Sequence, residues 1–354
     1  MLRAVSGKEA WFLHPERGWL HVKLDGRIVK VDGLAEPKSL PYVSPLAAKQ
    51  GFASQCSTAL SRGYAESNAD DVAAWRRSND ASPSPEMQAQ RDADWRTIGH
   101  DPDKGFERIE VKLDGILAPD LMRLIADPRL EGLEDLRVRT WSEKGAISDY
   151  GPWIAALGSR PLPRLRNLEL DSLAASDGAR ESRAGAIDAL LRIHPVLDTV
   201  AVMGTAWLDG RVESKSLRTL RIDGSAAEPR VASVLVHLVA PALVSLRLHP
   251  GYSGDVIGAL QVEAFFQRED LGALRQLELF GVEPEISLFE ALASTPMLRR
   301  LEGLTLQGGF GPRAAGELLE VIGSFDHLRR FGIDEEALTD ELQDAFPKAF
   351  GTYG

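Results

Sequence analysis

Leu217-Arg218-Thr219-Leu220-Arg221-Ile222 and Leu243-Val244-Ser245-Leu246-Arg247-Leu248 are two copies of one pattern, with apolar residues at the first, fourth and sixth positions. The pattern recurs as Leu133-x-x-Leu136-x-Val138, Leu165-x-x-Leu168-x-Leu170 and Leu197-x-x-Val200-x-Val202 before this pair. After it come Leu274-x-x-Leu277-x-Leu279, Leu301-x-x-Leu304-x-Leu306 and Leu328-x-x-Phe331-x-Ile333. A weaker copy, Phe106-x-x-Ile109-x-Val111, precedes them all. Successive starts lie 27, 32, 32, 20, 26, 31, 27 and 27 residues apart. Self-similarity at such a period marks a stacked-repeat architecture. The alternation within each copy is that of a strand with one buried face.

Between the copies lie stretches with helical spacing. Pro119 to Ile125 is one, and Ala184, Ile187, Leu190 and Leu191 share one face of another. Val231–Val239, Phe289–Leu292 and Leu318–Ile322 continue the series. The 20-residue unit from Leu197 to Leu217 is too short for a full helix and is expected to hold a plain loop. Strand followed by helix at this period resembles the leucine-rich repeat. That resemblance covers about two thirds of the chain and implies an α/β solenoid, with parallel strands on the inner face and helices or loops outside. The Asn or Cys usual at the ninth position of such repeats is replaced by Trp141, Leu173, Thr205, Ser225, Gly251, Val282, Gly309 or Glu336.

Residues flanking the core apolars are Lys112, Arg137, Arg139, Glu169, Asp171, Arg221, Asp223, Arg247, His249, Glu278 and Phe280. In a leucine-rich repeat such positions face the concave surface. Arg137, Arg139, Glu169, Asp171, Arg221, Arg247, His249, Glu278 and Phe280 are therefore the candidate partner-binding residues. Their alternating sign suits a protein partner better than a phosphate backbone. It equally suits mutual neutralisation between adjacent strands.

The first 66 residues have a different texture. Trp11-Phe12-Leu13, Trp19 to Leu24 and Arg27 to Val31 read as strands, and Ser44-Pro45 opens a helix that Gly63 ends. The implied unit is a small α+β domain, an antiparallel sheet with one helix. Gly26-Arg27-Ile28, Gly33 and the helix closing in Gly63-Tyr64-Ala65-Glu66 resemble a WGR domain, a module of poly(ADP-ribose) polymerases and many bacterial proteins. Here Asp25 stands where that motif has its aromatic, and Val29 replaces a Gly. The resemblance implies contact with nucleic acid or other domains, with Arg27, Lys23, Lys30 and Lys38 as candidate contacts. Asp25-Gly26 between two alternating runs reads equally as a hairpin turn.

The expected organisation is thus residues 1–66, a linker or N-terminal cap over 67–104, a repeat array over 105–346 and a tail over 347–354. Trp75, Trp95 and a helix around Met87–Arg96 suggest that parts of the linker dock and cap the stack.

Charge and composition narrow the function. Net charge is −11; residues 1–66 carry nine Lys/Arg against six Asp/Glu, so the remainder is strongly acidic and ill-suited to wrapping nucleic acid. An apolar fraction of 44% is ordinary, and no run approaches the roughly 20 apolar residues of a membrane span. The start of the chain shows no stretch of signal-peptide length. One cysteine, Cys56, on an apolar helical stripe, fits a reducing compartment. No membrane association and a cytoplasmic location are expected.

Catalytic constellations fail on inspection. Asp101-Pro102-Asp103-Lys104-Gly105 lacks the spacing and the bidentate Glu of a calcium loop. Gly308-Gly309-Phe310-Gly311 lacks the Gly-Lys-Ser/Thr of a phosphate loop. The seven histidines show no metal spacing. The expectation is a non-catalytic scaffold for protein–protein interaction, with no cofactor, metal or small-molecule substrate. The alternative is a nucleic-acid-associated regulator acting through residues 1–66.

Overall fold

A computed structural model describes residues 9–14, 18–25, 28–33, 38–41, 65–67, 85–113, 121, 124–140, 148–172, 182–224, 229–251, 257–283, 287–347 and 349–352. The chain divides into two compact units, Met1–Arg91 and Asp92–Gly354. This division falls inside the segment expected to be a linker.

In the first unit β1 (Glu9–His14), β2 (Gly18–Asp25), β3 (Ile28–Gly33), β4 (Lys38–Pro41) and β5 (Ala65–Ser67) form an antiparallel sheet in the order β4-β3-β2-β1-β5. Asp25 pairs with Ile28, one position on from a turn centred on Asp25-Gly26. Gly26, Arg27 and the expected helix over 44–62 lie outside the described residues, as do Cys56 and Trp75.

The second unit is mixed α/β and is built on ten parallel strands that lie side by side in chain order. They are β6 (Arg108–Leu113), β7 (Asp135–Thr140), β9 (Asn167–Ser172), β11 (Thr199–Val202), β14 (Thr219–Asp223), β16 (Ser245–His249), β17 (Gln276–Leu279), β18 (Gly303–Leu306), β19 (Arg330–Asp334) and β20 (Ala349–Thr352). Pairing is in register with the sequence repeat. Ile109, Leu136, Leu168, Val200, Leu220, Leu246, Leu277, Leu304 and Phe331 are successive partners across the sheet. Val111, Val138, Leu170, Val202, Ile222, Leu248, Leu279 and Leu306 form a second row, and every member of both rows is buried. Period-two alternation turns both rows to one face, where they meet the helices.

Helices follow the strands. α1 (Pro85–Thr97) precedes the sheet. α2 (Gly151–Ser159), α3 (Asp188–Ile193), α4 (Ser233–His237), α5 (Ala259–Phe266), α6 (Leu288–Ala293), α7 (Pro312–Glu320) and α8 (Asp340–Ala345) lie between strands. Pro119–Ile125 falls largely outside the described residues; Leu121, Leu124 and Ile125 are buried.

Three expectations need correction. Ala184 belongs to a strand, β10 (Ser182–Ala186), and not to a helical face, because Gly185 adopts φ 84° and the helix starts only at Asp188. The short unit from Leu197 to Leu217 holds no helix, yet it is more than a loop. Its β12 (Thr205–Trp207) joins β8 (Ser148–Asp149) and β10 in a parallel three-stranded sheet, and β13 (Val212–Glu213) pairs with β15 (Leu238–Val239). Residues 349–352, expected in a C-terminal tail outside the repeat array, complete the large sheet by pairing with β19.

Without a position-nine Asn, neighbouring units are tied by cationic and imidazole side chains that donate to carbonyls of the unit before. Arg160 Nη1 reaches Ile125 O at 2.7 Å, His194 Nε2 reaches Leu157 O at 2.9 Å, and His327 Nε2 reaches Leu298 O at 2.7 Å. Arg268 spans Leu235 O and Leu238 O and also pairs with Asp270. Each donor lies upstream of a strand and adds a side-chain bond to a carbonyl of the preceding unit.

At the amino-terminal edge Trp95, His100 and Phe106 pack edge to face. The Trp95 indole donates to Asp127 at 2.9 Å, and Arg129 clamps Asp127, bridges to Asp92 and lies over Phe106.

Candidate functional site

The sheet face opposite the helices carries the alternate residues of each strand, and here the sequence-derived candidates fall into two clusters. On β7 and β9, Arg137 bonds Glu169 at 2.7 Å and Asp171 at 3.1 Å. Arg139 reaches Glu110 on β6 at 3.0 Å and Asp171 at 3.8 Å. All four candidates are partly exposed. Direct register pairing of Arg137 with Glu169 and of Arg139 with Asp171 produces these contacts.

The second cluster spans β14, β16 and β17. Asp223 accepts from Arg221 and, at 2.7 Å, from Arg247. Arg247 also pairs with Glu278, and its guanidinium lies 4.6 Å from the centre of the Phe280 ring. Burial works against the charge of Arg247, but its carboxylate partners outweigh that and raise its pKa. His249 stacks on Phe280 with centroids 4.8 Å apart, and its Nδ1 accepts from Gly251 N–H. Burial lowers the His249 pKa despite neighbouring Asp223, so the ring is held towards its neutral form.

His249 and Phe280 therefore need correction as contact residues: both are buried, beneath or beside Arg247. The closed character continues down the chain, since Thr305, Gln307 and Asp334, on the same face, are also buried. Exposure of the face is continuous from β6 to β17; on β18 and β19 the face is buried except at Arg330. Asp223, the shared acceptor of the second cluster, was legible as the residue two positions beyond Arg221. The sequence reading missed Glu110, whose copy is the weak first repeat.

Between the clusters stands β11. Its face residues Thr199 and Ala201, and Met203 just beyond its end, are partly exposed and uncharged, and Ala201 pairs in register with Glu169 on one side and Arg221 on the other.

The glycine loop after β18 also has a definite occupant. Asp334 Oδ2 accepts from Gly308 N–H at 2.9 Å and Phe310 N–H at 2.8 Å, so the chain's own carboxylate fills the concavity an anion would use. Burial raises the pKa of Asp334 although these amides pull it down. Asp101 caps the short helix Pro102–Lys104 and so is part of a turn. Among the described residues no group of three or more His, Cys, Asp or Glu could hold a metal ion, and no helix is long and apolar enough to cross a membrane.

In the first unit, Lys23 and Lys30 occupy directly opposed register positions on β2 and β3, while Lys38 pairs with Val31. Arg27 lies outside the described residues. Lys112 lies on β6 in register with Arg139.

No protein-family model matches the chain, and no curated protein matches it. Its fold is similar to that of a crystal structure of a Bacteroides fragilis protein, a structural-genomics target. The TM-score is 0.51 at 14% identity, over 97% of this chain and 95% of that one. At that identity the likeness concerns the fold alone: a mixed α/β chain with a large parallel sheet.

Proposed function

We propose that the second unit is a leucine-rich-repeat scaffold, and that it binds another protein on the exposed, charged face of its sheet without performing chemistry. The observation that carries this reading is the two ion-paired clusters flanking an uncharged strand on one partly exposed face. Alternating charge in fixed geometry rejects mismatched partners and sets register, which is what such pairs contribute at protein interfaces. Mutual pairing also explains why the arginines need not attract nucleic acid: their charge is already matched by carboxylates. In this reading the amino-terminal sheet is a WGR-like accessory module. A cytoplasmic location, suggested by the single cysteine, belongs to the same proposal.

Site-specific photo-crosslinking in cells that naturally make the protein tests this. A crosslinking side chain at Thr219 or Ala201 should trap one defined protein, whereas the same group at exposed Leu260 on α5 should trap none. Trapping from Leu260 and not from the sheet would move the site to the helical side. Salt-dependent binding of DNA by the full chain that disappears with Lys23→Glu and Lys30→Glu would favour the nucleic-acid regulator instead.

A further inference from the structure

We infer that the face recognises a segment with a fixed charge polarity, in which an apolar side chain seated over β11 lies between a cation facing Glu169 and a carboxylate facing Arg221. This rests on the reading above and specifies its partner. The three residues Glu169, Ala201 and Arg221 are register partners on adjacent strands. Neighbouring strands lie about 4.8 Å apart, so Glu169 and Arg221 stand on backbones separated by roughly 10 Å. Ala201 ends at Cβ, while both neighbours carry long side chains. The result is a notch with a small apolar floor, extended by Met203 just past the end of the strand.

The walls of the notch differ in sign. Glu169 and Asp171 form one wall while bound to Arg137, Glu169 keeping 42% side-chain exposure and Asp171 lying deeper at 19%. Arg221 forms the other at 49% side-chain exposure and is held through its Nε by Asp223. Each wall is thus held in place by an intramolecular pair, so docking orders few side chains anew. Burying the notch under an uncharged segment would take the water-facing parts of Glu169 and Arg221 out of water with only their intramolecular partners to compensate, a penalty that a segment of matching polarity lowers. Nucleic acid would meet Glu169 and Asp171 as repulsive groups at the same place.

Selection of random short peptides, displayed on phage, against the full chain tests this. Enriched peptides should share one order of basic, apolar and acidic residues. Their affinity should fall at least about tenfold on Ala201→Trp, which fills the notch with a residue strands accommodate well. The double variant Glu169→Lys, Arg221→Glu should select the opposite order, and unchanged thermal melting of both variants would show the fold intact. Enriched peptides without a charge order, or indifferent to both variants, would overturn the inference. If such peptides still lost binding on Arg137→Glu or Arg247→Glu, the face would remain the docking surface and only the polarity would fall. Indifference to every substitution on the face, or no enrichment at all, would count against both.

Discussion

At the scale of single residues, the alternation within a strand separates a buried row from a largely exposed one. Leu220, Leu246 and Leu277 are buried partners in one row. Truncating any of them to Ala should cost roughly 2–5 kcal/mol in denaturant unfolding, from lost apolar transfer plus a residual cavity. Arg221→Ala should fall within about 0.5 kcal/mol, as for surface positions generally. Arg247 is different, although the repeat gives it the same position. It is 30% exposed and neutralises both Asp223 and Glu278. Arg247→Ala leaves the nearly buried Asp223 with less compensation and should cost about 1–3 kcal/mol. Equal costs for the two arginines would refute the distinction. The inside–outside assignment was legible because a period-two pattern leaves one choice of face. The burial of His249 and Phe280 was not, because it depends on which neighbour folds over them. Gly308 shows the same limit: a Cβ there would overlap the Val282 carbonyl oxygen, and no local sequence signal announces that approach.

At the scale of elements, the strands were readable and the helices only partly so. Leucines at fixed spacing specify a ladder, whereas short segments with apolar residues at i and i+3 fit strand or helix until a residue such as Gly185 decides. The ties between units escaped the sequence reading because Arg160, His194, Arg268 and His327 occupy no constant offset in the repeat. Arg268→Ala should cost about 1–3 kcal/mol, since it removes the side-chain donor from two carbonyls of the preceding unit. The Trp95–Asp127–Arg129 cluster at the amino-terminal edge of the large sheet carries a pH signature. Burial works against the charge of Asp127, but Arg129 and the Trp95 indole prevail and hold its pKa below the ordinary value of 3.8. As pH falls, the unfolded chain takes up this proton first, so the contribution is present above that value and is lost as pH descends through the folded pKa. Trp95 fluorescence should report loosening of this cluster on acidification, and Asp127→Asn should remove that part of the pH dependence while lowering stability at neutral pH. An unchanged acid profile in Asp127→Asn would contradict the assignment.

At the scale of the whole molecule, the second unit is a row in which each element touches chiefly its neighbours, so damage should spread locally. Amide exchange in Leu277→Ala should accelerate first in β16, β17 and β18, before distant strands. Three buried histidines, His100, His194 and His249, have pKa values lowered by burial below 6.5. The unfolded chain protonates them first as pH falls, so thermal stability should decline as pH drops through about 6.5 and below. A melting temperature that rises over that interval would contradict their neutral, buried state. Charge over the whole chain limits the partners, but no composition could show that, among the described residues, the sheet face is open chiefly from β6 to β17. That follows from three-dimensional burial alone. The most direct test of the central claim is calorimetric titration of the protein trapped from the sheet face into wild-type chain and into R137E/R139E/R221E/R247E, each checked by circular dichroism for intact fold. A docking role for the charged face predicts that the folded quadruple variant loses at least about a hundredfold in affinity, some 2.8 kcal/mol; unchanged affinity in the folded variant would contradict it.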